Sequence, residues 1–304
     1  MPDYVDIEAD APEPENGFAP LIVHVIYRLD VGGLENGLVN LVNHMPANRF
    51  RHAIVSLTDR TDFSRRISRP DVPVYCLHKP PGNSILTQLR LWRLLRKLRP
   101  DIVHTRNLAA LECTIAAAMA GGAVRVHGEH GRDVDDLDGT NVRRQRIRRM
   151  FKPLVHRYVA VSGDLARYLE HAIGVAAPRV TQICNGVDTE RFHACTAPRI
   201  RHERWAAEGT APFVIGTAGR MEPVKDPLSL VRAFLLLRET LPHHRARLRL
   251  AMAGDGALRG QALAMLEQAG ALDAAWLPGT CDDVPRFMRE LDLFVLPSLG
   301  EGVS

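Results

Sequence analysis

The chain has 304 residues, of which 46% are hydrophobic, with 39 lysines and arginines against 35 aspartates and glutamates. At about 150 residues per domain, this length predicts two domains that each bury a core. The net charge of +4 is small, and the arginine-rich stretches lack the interleaved aromatic residues of a base-stacking surface, which argues against a nucleic-acid partner. The five cysteines form no C-x-x-C pair, so they predict neither a disulfide framework nor a zinc site and favour a cytoplasmic protein.

Residues 1–20 contain six acidic residues and four prolines, the reverse of the basic and apolar layout of a signal peptide. We therefore predict a disordered acidic tail over residues 1–19. No apolar run in the sequence approaches the roughly 20 residues that span a bilayer, so any membrane contact is expected to be peripheral.

Apolar runs of strand length then recur with helical stretches between them. This alternation predicts a parallel sheet covered by helices. Amphipathic helices are predicted around residues 34–42 and 85–95, where apolar residues recur at intervals of three and four. The predicted strands cover residues 21–26, 53–57, 72–77, 102–105, 124–127, 158–162 and 180–183.

A second alternating series follows residue 212 and predicts a second α/β domain. The expected organisation is a first domain over 20–195, a linker region over 196–212 and a second domain over 213–304. Because a doubly wound domain usually has five or six strands, a second domain with four is predicted to be incomplete. Its predicted strands are 213–218, 248–253, 275–277 and 293–297, and its predicted helices are 226–240, 258–269 and 284–291.

The segment from Gly219 to Asp226 follows a predicted buried strand and opens a predicted helix. Open α/β sheets bind ligands at such strand ends. Arg220 and Lys225, together with the unpaired N–H groups of the helix N-terminus, favour a phosphate. Each charge-assisted bond to a diphosphate is worth about 1.5 to 3 kcal/mol. The alternative for this pair is an ordinary solvated surface.

Gly32 and Gly33 lie in the loop after the first predicted strand, where glycine lets the backbone approach a ligand. An ordinary turn is the alternative. The loop is not G-x-G-x-x-G and no acidic residue ends the second strand, which disfavours a nicotinamide-dependent oxidoreductase. His127 and His130 end an inner strand, where one of them could contact a sugar hydroxyl. A structural role is the alternative for both, and more so for His127.

Acidic residues follow two of the predicted strands. The segment from Asp133 to Asp138 contains the D-x-D spacing that can hold a divalent cation, although an acidic surface loop is the simpler interpretation. Glu301 lies at the tip of the last strand, where its carboxylate could accept hydrogen bonds from sugar hydroxyls. The alternative is a polar residue at the end of the chain.

These motifs occur in a specific order along the chain, and in that combination the sequence resembles the retaining glycosyltransferases of family four. The N-terminal half looks like the sugar transferases encoded with exosortase/PEP-CTERM exopolysaccharide systems. The resemblance covers almost everything from about residue 21 to the end. The segments that carry it are Gly32-Gly33, Gly128 to Asp133, Asn185 to Asp188 with Phe192, Gly219 to Lys225, Gly254-Asp255-Gly256 and Pro297 to Gly302.

The resemblance implies the GT-B architecture, with two Rossmann-like parallel-sheet domains facing a cleft and the second one incomplete here. It also implies transfer of a sugar from a nucleotide-sugar donor to a hydroxyl of a glycan or lipid-linked acceptor, with retention of configuration. Such an enzyme uses no metal and no other cofactor. The donor would bind the second domain.

Carried over by motif, Arg220 and Lys225 would hold the diphosphate and stabilise the leaving group. His130 would contact the transferring sugar, and Glu301 would match the first Glu of the family's E-x7-E motif. The implied catalytic residues are therefore His130, Arg220, Lys225 and Glu301. The implied donor-binding residues are Gly32, Gly33, Arg220, Lys225, Gly254, Asp255 and Glu301.

The second Glu of the E-x7-E motif would fall five positions beyond Ser304. The resemblance therefore predicts weak or no turnover for this chain, whereas a chain containing that Glu would be an enzyme. The basic helix of the first domain is expected to face the acceptor, with anionic lipid headgroups as one partner and plain solvent as the alternative. Its arginines are Arg143, Arg144, Arg146, Arg148 and Arg149.

Two rival functions stay open at this point. A non-hydrolysing sugar-nucleotide epimerase also uses two α/β domains and a diphosphate clamp, but it needs no acceptor. A non-catalytic nucleotide-sugar-binding protein is the rival from another class. Retained donor binding without turnover would favour the second of these.

Overall fold

The computed structural model describes residues 19–133, 136–194, 205 and 211–301. Contacts divide the chain into two compact units between Gly186 and Val187. Each unit contains its own parallel sheet with helices on it, which confirms the predicted α/β fold. The expected acidic tail and most of the expected linker lie outside the described residues.

The sheet of the first unit has seven strands in the order β3-β2-β1-β4-β5-β6-β7, and all neighbours are parallel. Each of the strands predicted for this part of the chain is confirmed. The order reverses between β1 and β4, and the carboxyl ends of the strands at such a reversal form the usual ligand crevice of an open α/β sheet. The strands are β1 Leu21–Ile26, β2 Arg51–Ser56, β3 Val74–Cys76, β4 Ile102–Arg106, β5 Val124–Glu129, β6 Arg157–Ala160 and β7 Val180–Gln182.

Helices cover both faces of this sheet. The side-chain oxygens of Ser84 and Asn141 accept hydrogen bonds from the first turns of α2 and α5, and these caps fix where those helices begin. The helices are α1 Gly33–His44, α2 Ile85–Leu98, α3 Asn107–Leu111, α4 Cys113–Ala120, α5 Val142–Phe151 and α6 Gly163–Arg167, which continues as a π-helical turn over Tyr168–Ala172.

Alternate residues of the central strands pack into different cores because side chains along a strand point to opposite faces. On one face Val23 and Val25 belong to a core with residues of α2 and α4. On the other face Ile26 and Ile54 pack with Leu38 of α1. This second face also carries several histidines, which belong to the candidate site.

The sheet of the second unit has the four parallel strands that were predicted, and their order is β10-β9-β8-β11. Its order reverses between β8 and β11. Alternating residues of β9 pack on α7 and α8 on one face and on α9 on the other. The elements are β8 Phe213–Ala218, α7 Pro227–Thr240, β9 Leu248–Ala253, α8 Arg259–Gln268, β10 Ala275–Gly279, α9 Val284–Glu290 and β11 Leu293–Phe294.

Candidate functional site

The glycine loop after β1 lies beside the reversal of strand order in the first sheet. Gly33 is the first residue of α1, and a Cβ built on it would meet nothing within 4 Å. A Cβ on Gly32 would lie 2.1 Å from a carboxylate oxygen of Glu35. The backbone at Gly33 is therefore open to a ligand, as a donor-binding role requires, while Gly32 accommodates the side chain of Glu35.

The predicted site residue His130 follows β5 at the same edge of the sheet. Its backbone N–H donates to Oδ1 of Asn107 over 2.7 Å. Asn107 follows β4 and has a φ of 56°, a left-handed conformation that asparagine adopts more readily than most residues. Asn107 thus ties the end of β4 to the backbone of His130, a contact that the sequence analysis did not foresee.

Two imidazole rings lie over Gly128, the next-to-last residue of β5. A Cβ built on Gly128 would lie 2.8 Å from Nε2 of His130 and 3.0 Å from Nε2 of His104. Any side chain at this position would displace one of the rings, so glycine is needed here for a packing reason. This explains the glycine in the His-Gly-Glu-His segment that the resemblance singled out.

Arg106 ends β4 and is 4% exposed. Its Nη1 lies 3.1 Å from Nδ1 of His24, so the guanidinium donates to that ring. Burial lowers the pKa of Arg106 to about 10, against the charge of Glu35, which favours the cation. Arg106 is therefore a buried cation at neutral pH.

The histidines around Arg106 are neutral. Burial, and then the charge of Arg106, lowers the pKa of His130 to about 3. The same two causes hold the pKa values of His24 and His104 well below the usual range. A neutral imidazole has one donor and one acceptor nitrogen, so these rings can bind hydroxyl and anionic oxygens.

A buried ion network lies beneath the loop that follows His130. Nε and Nη2 of Arg148 donate to the two carboxylate oxygens of Glu129 over 2.7 and 3.2 Å. Asp133 accepts from Arg148 over 3.3 Å and pairs with Arg144 at 2.8 Å. Despite desolvation, the close approach of His127, whose Nε2 lies 3.6 Å from Oε1, and the charge and hydrogen bonds of Arg148 lower the pKa of Glu129 to about 2. His127 is fully buried and its Nδ1 lies 2.8 Å from Oγ1 of Thr105, which supports its structural role.

This network corrects the expectation for the basic helix. Arg148 is 4% exposed and is bound to Glu129, so it cannot contact lipid headgroups. Arg144 is partly buried against Asp133. Arg143, Arg146 and Arg149 are exposed, and for them the membrane prediction is untested. Asp135, one of the carboxylates in the segment with D-x-D spacing, lies outside the described residues.

In the second unit, loops from three strands meet where the order of strands reverses. Lys225, in the 3-10 turn Pro223–Lys225 after β8, pairs with Glu301 at 2.6 Å. The backbone N–H of Leu299 donates to the carbonyl of Val224, which ties the segment after β11 to this turn. Arg220 is exposed, and the structure records no hydrogen bond or ion pair between it and another described residue.

The N-terminus of α7 is already capped. Oδ1 of Asp226 accepts from the backbone N–H of Ser229, and Oδ2 accepts from its hydroxyl over 2.6 Å. The helix begins with Pro227, which has no N–H. Two positions of the first turn, Pro227 and Ser229, therefore offer no free N–H to a phosphate, and the side chains of Arg220 and Lys225 are the main groups that can hold one.

Gly254 and Gly256 pack against the segment after β8. A Cβ on Gly254 would lie 1.9 Å from the carbonyl oxygen of Gly219, and a Cβ on Gly256 would lie 2.6 Å from that of Met221. Asp255 accepts a hydrogen bond from the N–H of Gly256 over 2.8 Å through Oδ1. The two glycines therefore hold the loops after β8 and β9 together, which is a structural reason for a motif expected to bind donor.

Across the described ranges, no group of three or more His, Cys, Asp or Glu residues is placed to hold a metal ion. Within the same ranges, no helix is long and apolar enough to cross a membrane.

Two α/β units, each with a parallel sheet whose strand order reverses, match the fold of GT-B glycosyltransferases. A solved structure with this fold is HepE of Anabaena in complex with UDP and glucose. Its TM-score to this chain is 0.69 at 17% identity, and the match covers 90% of this chain and 73% of HepE. At this identity the likeness establishes the fold.

Residues 31–191 match the model of Glycosyltransferase Family 4, and residues 212–304 match that of Glycosyl transferases group 1. The chain belongs to glycosyltransferase family 4. EpsF of Bacillus subtilis, named as a glycosyltransferase, is 27% identical over 301 residues, which cover 93% of this chain and 74% of EpsF. The UDP-Gal:α-D-GlcNAc-diphosphoundecaprenol α-1,3-galactosyltransferase of Escherichia coli is 26% identical over 258 residues, which cover 81% of this chain and 64% of the relative.

Proposed function

We propose that this chain carries the machinery to transfer a sugar, with retention, from a nucleotide-sugar donor to a hydroxyl of a glycan or lipid-linked acceptor. We place the reaction in exopolysaccharide or other surface-glycan biosynthesis, at the cytoplasmic face of the membrane. Family membership supports the class of reaction, and the galactosyltransferase relative, whose name specifies a lipid-linked acceptor, supports the acceptor class. The observation that carries the proposal is the group formed by Arg220, Lys225 and Glu301 at the carboxyl end of the second sheet.

The two cations of this group would bind the donor diphosphate. Arg220 presents an exposed guanidinium, and the ammonium of Lys225 has three N–H donors, of which Glu301 engages one. Negative charge grows on the diphosphate as the glycosidic bond breaks. Cations fixed at that position stabilise the departing nucleoside diphosphate, so we expect them to favour the transition state more than the bound donor. The proposed chemistry uses no metal or other cofactor.

Glu301 would bind the sugar of the donor. Its carboxylate accepts hydrogen bonds, and the ion pair with Lys225 fixes where the oxygen that is not paired can point. A single ion pair would therefore orient a diphosphate ligand and a sugar ligand relative to each other. Binding both parts of the donor through one rigid group reduces the entropy lost on binding.

His130 and Gly33 would contact the donor from the first unit. The neutral ring of His130 can both donate to and accept from a sugar hydroxyl. The N–H of Gly33 lies at the first position of α1, where helical N–H groups have no partner within the helix. Both residues follow strands at the carboxyl edge of the first sheet, which agrees with their proposed role.

Calorimetric titration with UDP-, GDP- and ADP-sugars tests the donor site. UDP-sugars come first because solved structures of HepE contain UDP. We expect saturable binding of one nucleotide class, weakened about tenfold or more by Arg220→Ala and by Lys225→Ala. Arg245→Ala removes an exposed arginine from the same unit and serves as the matched control, with no expected change. Equal binding by all four proteins, or by none, would refute the proposed donor site.

A further inference from the structure

A cluster of buried polar atoms in the first unit has no hydrogen-bond partner among the described residues. The atoms are Nε of Arg106, Nε2 of His104 and both ring nitrogens of His130. Buried polar atoms are nearly always paired, so each exception calls for a water, an ion or a ligand. Their residues lie on or just after β4 and β5, and His130 and Arg106 lie at the edge where an α/β sheet binds ligands.

The two rings converge on one point. Nε2 of His130 and Nε2 of His104 lie within 3.0 Å of the position that a Cβ of residue 128 would occupy, and that residue is glycine. Arg106 is directly opposite Gly128 in the register of β4 and β5, so its side chain leaves the same face of the sheet. The cluster therefore places one guanidinium and two imidazoles on the same face of the sheet, with the two rings packed over Gly128.

The charge of the cluster defines the ligand that it favours. Arg106 is a cation with only 4% of its surface exposed, and it donates a hydrogen bond to a neutral histidine, His24. Glu35 is the carboxylate whose charge acts on Arg106. Buried charges are stabilised by an opposite charge in direct contact, and guanidinium groups bind phosphate and carboxylate oxygens with two parallel bonds.

We propose that Arg106 and His104 form an anion-binding subsite, next to the ring of His130, that holds a phosphate group of the acceptor substrate. The choice of the acceptor rests on the proposed function, because that function assigns the donor diphosphate to Arg220 and Lys225 in the other unit. The acceptor named for one relative, GlcNAc-diphosphoundecaprenol, contains a diphosphate. The anion binding itself does not depend on the transfer reaction.

Titration with inorganic phosphate and diphosphate, followed by the NMR signals of the histidine rings, tests this subsite. The full chain carries Arg220→Ala and Lys225→Ala, so that the expected donor site does not contribute. We expect saturable movement of the His104 and His130 signals, and a loss of affinity of about tenfold or more in Arg106→Met. Arg93→Met, which removes an exposed arginine from the same unit, is the control and leaves the affinity unchanged.

A second variant tests the opposite direction. Glu35→Gln removes the carboxylate charge that acts on Arg106, so phosphate binding is expected to tighten. This result does not require Arg106→Met to fold. The subsite is refuted if phosphate leaves the histidine signals unmoved, if neither Arg106→Met nor Glu35→Gln changes the affinity, or if glucuronate, which offers a carboxylate instead, binds more tightly than phosphate.

The kinetic consequence separates the acceptor from the donor. With a lipid-diphosphate-linked acceptor, Arg106→Met is expected to raise the KM for the acceptor about tenfold or more and to leave the KM for the donor near its original value. A rise in the KM for the donor alone would contradict the acceptor assignment. Failure of nucleotide-sugar binding in the calorimetric test would instead refute the proposed function and leave the phosphate titration intact.

Discussion

The two candidate sites lie at equivalent places in their sheets but hold their charged groups differently. In the first unit Arg106 and Arg148 are each 4% exposed, and the groups around them are buried histidines and carboxylates. In the second unit Arg220 is exposed and Lys225 forms a partly exposed pair with Glu301. Changes in the first site should therefore affect folding as well as function, whereas changes in the second should affect ligand binding alone.

The largest expected effect comes from the buried ion network. Arg148→Met leaves the carboxylate of Glu129 buried without its bidentate partner, so we expect a loss of about 3 to 5 kcal/mol in the free energy of unfolding, measured with urea. Lys225→Met breaks the exposed pair of the second unit and is expected to cost less than about 1 kcal/mol. The double variant Glu129→Met/Arg148→Met should recover much of the loss. Equal costs for the two single variants would contradict the comparison.

A pH titration of stability is the next largest test. The folded-state pKa of His130 is lowered from 6.5 to about 3, and those of His24 and His104 are lowered in the same direction. Below pH 6.5 the unfolded chain therefore binds more protons than the folded chain. Stability is complete above pH 6.5 and falls as the pH drops towards 3, and His130 contributes about 1.4 kcal/mol per pH unit to this loss. The free energy of unfolding at pH 8 and pH 5 measures this, and equal values would contradict it.

The contact between Asn107 and His130 predicts a smaller effect, on activity. Glycine adopts the left-handed conformation of residue 107 without steric cost, so Asn107→Gly keeps the backbone. It removes the acceptor of the His130 N–H, and we therefore expect turnover to fall about tenfold. Asn107→Asp keeps an acceptor oxygen at the same place and is the matched control, expected to retain most of the activity. Both variants are assayed by release of nucleoside diphosphate. A normal rate in Asn107→Gly would show that this hydrogen bond does not position His130.

The smallest expected effect concerns the exposed face of α5. Replacing Arg143, Arg146 and Arg149 with Gln should weaken binding to anionic vesicles by about 1 kcal/mol for each charge near the surface. Flotation with phosphatidylserine-containing and neutral vesicles measures it. Arg93, Arg96 and Lys97 of α2 provide a matched triple variant, because they also form an exposed basic group. Binding that does not depend on anionic lipid would end the membrane interpretation.

Much of the fold was predictable because strand-length apolar runs alternate with helical ones. The predicted strands are confirmed in both units, since buried parallel strands are apolar on both faces and stand out from their surroundings. The second sheet has the four strands that were expected among the residues described. Local periodicity was sufficient for these elements because each one is set by residues close together in the sequence.

The interior of the first site was not predictable in the same way. Arg106 and His104 lie in a strand identified by its apolar neighbours, and nothing local distinguishes a buried polar residue from an exposed one. Arg148 was predicted to be on a lipid-facing surface because it resembles the other arginines of α5. The partner that buries it, Glu129, lies 19 positions earlier in the chain. Only the packing of α5 against β5 distinguishes Arg148 from its neighbours.

The diphosphate clamp of the second unit is the central claim. The most direct test compares a nucleoside diphosphate with its nucleoside, for the base that the calorimetric panel identifies. We predict that the diphosphate binds the chain at least ~100-fold more tightly than the nucleoside, because two charge-assisted hydrogen bonds each contribute about tenfold or more. In Arg220→Ala/Lys225→Ala this advantage should disappear while binding of the nucleoside is unchanged. Equal affinity for the two ligands in the unaltered chain, or an undiminished preference for the diphosphate in the double variant, would contradict the account.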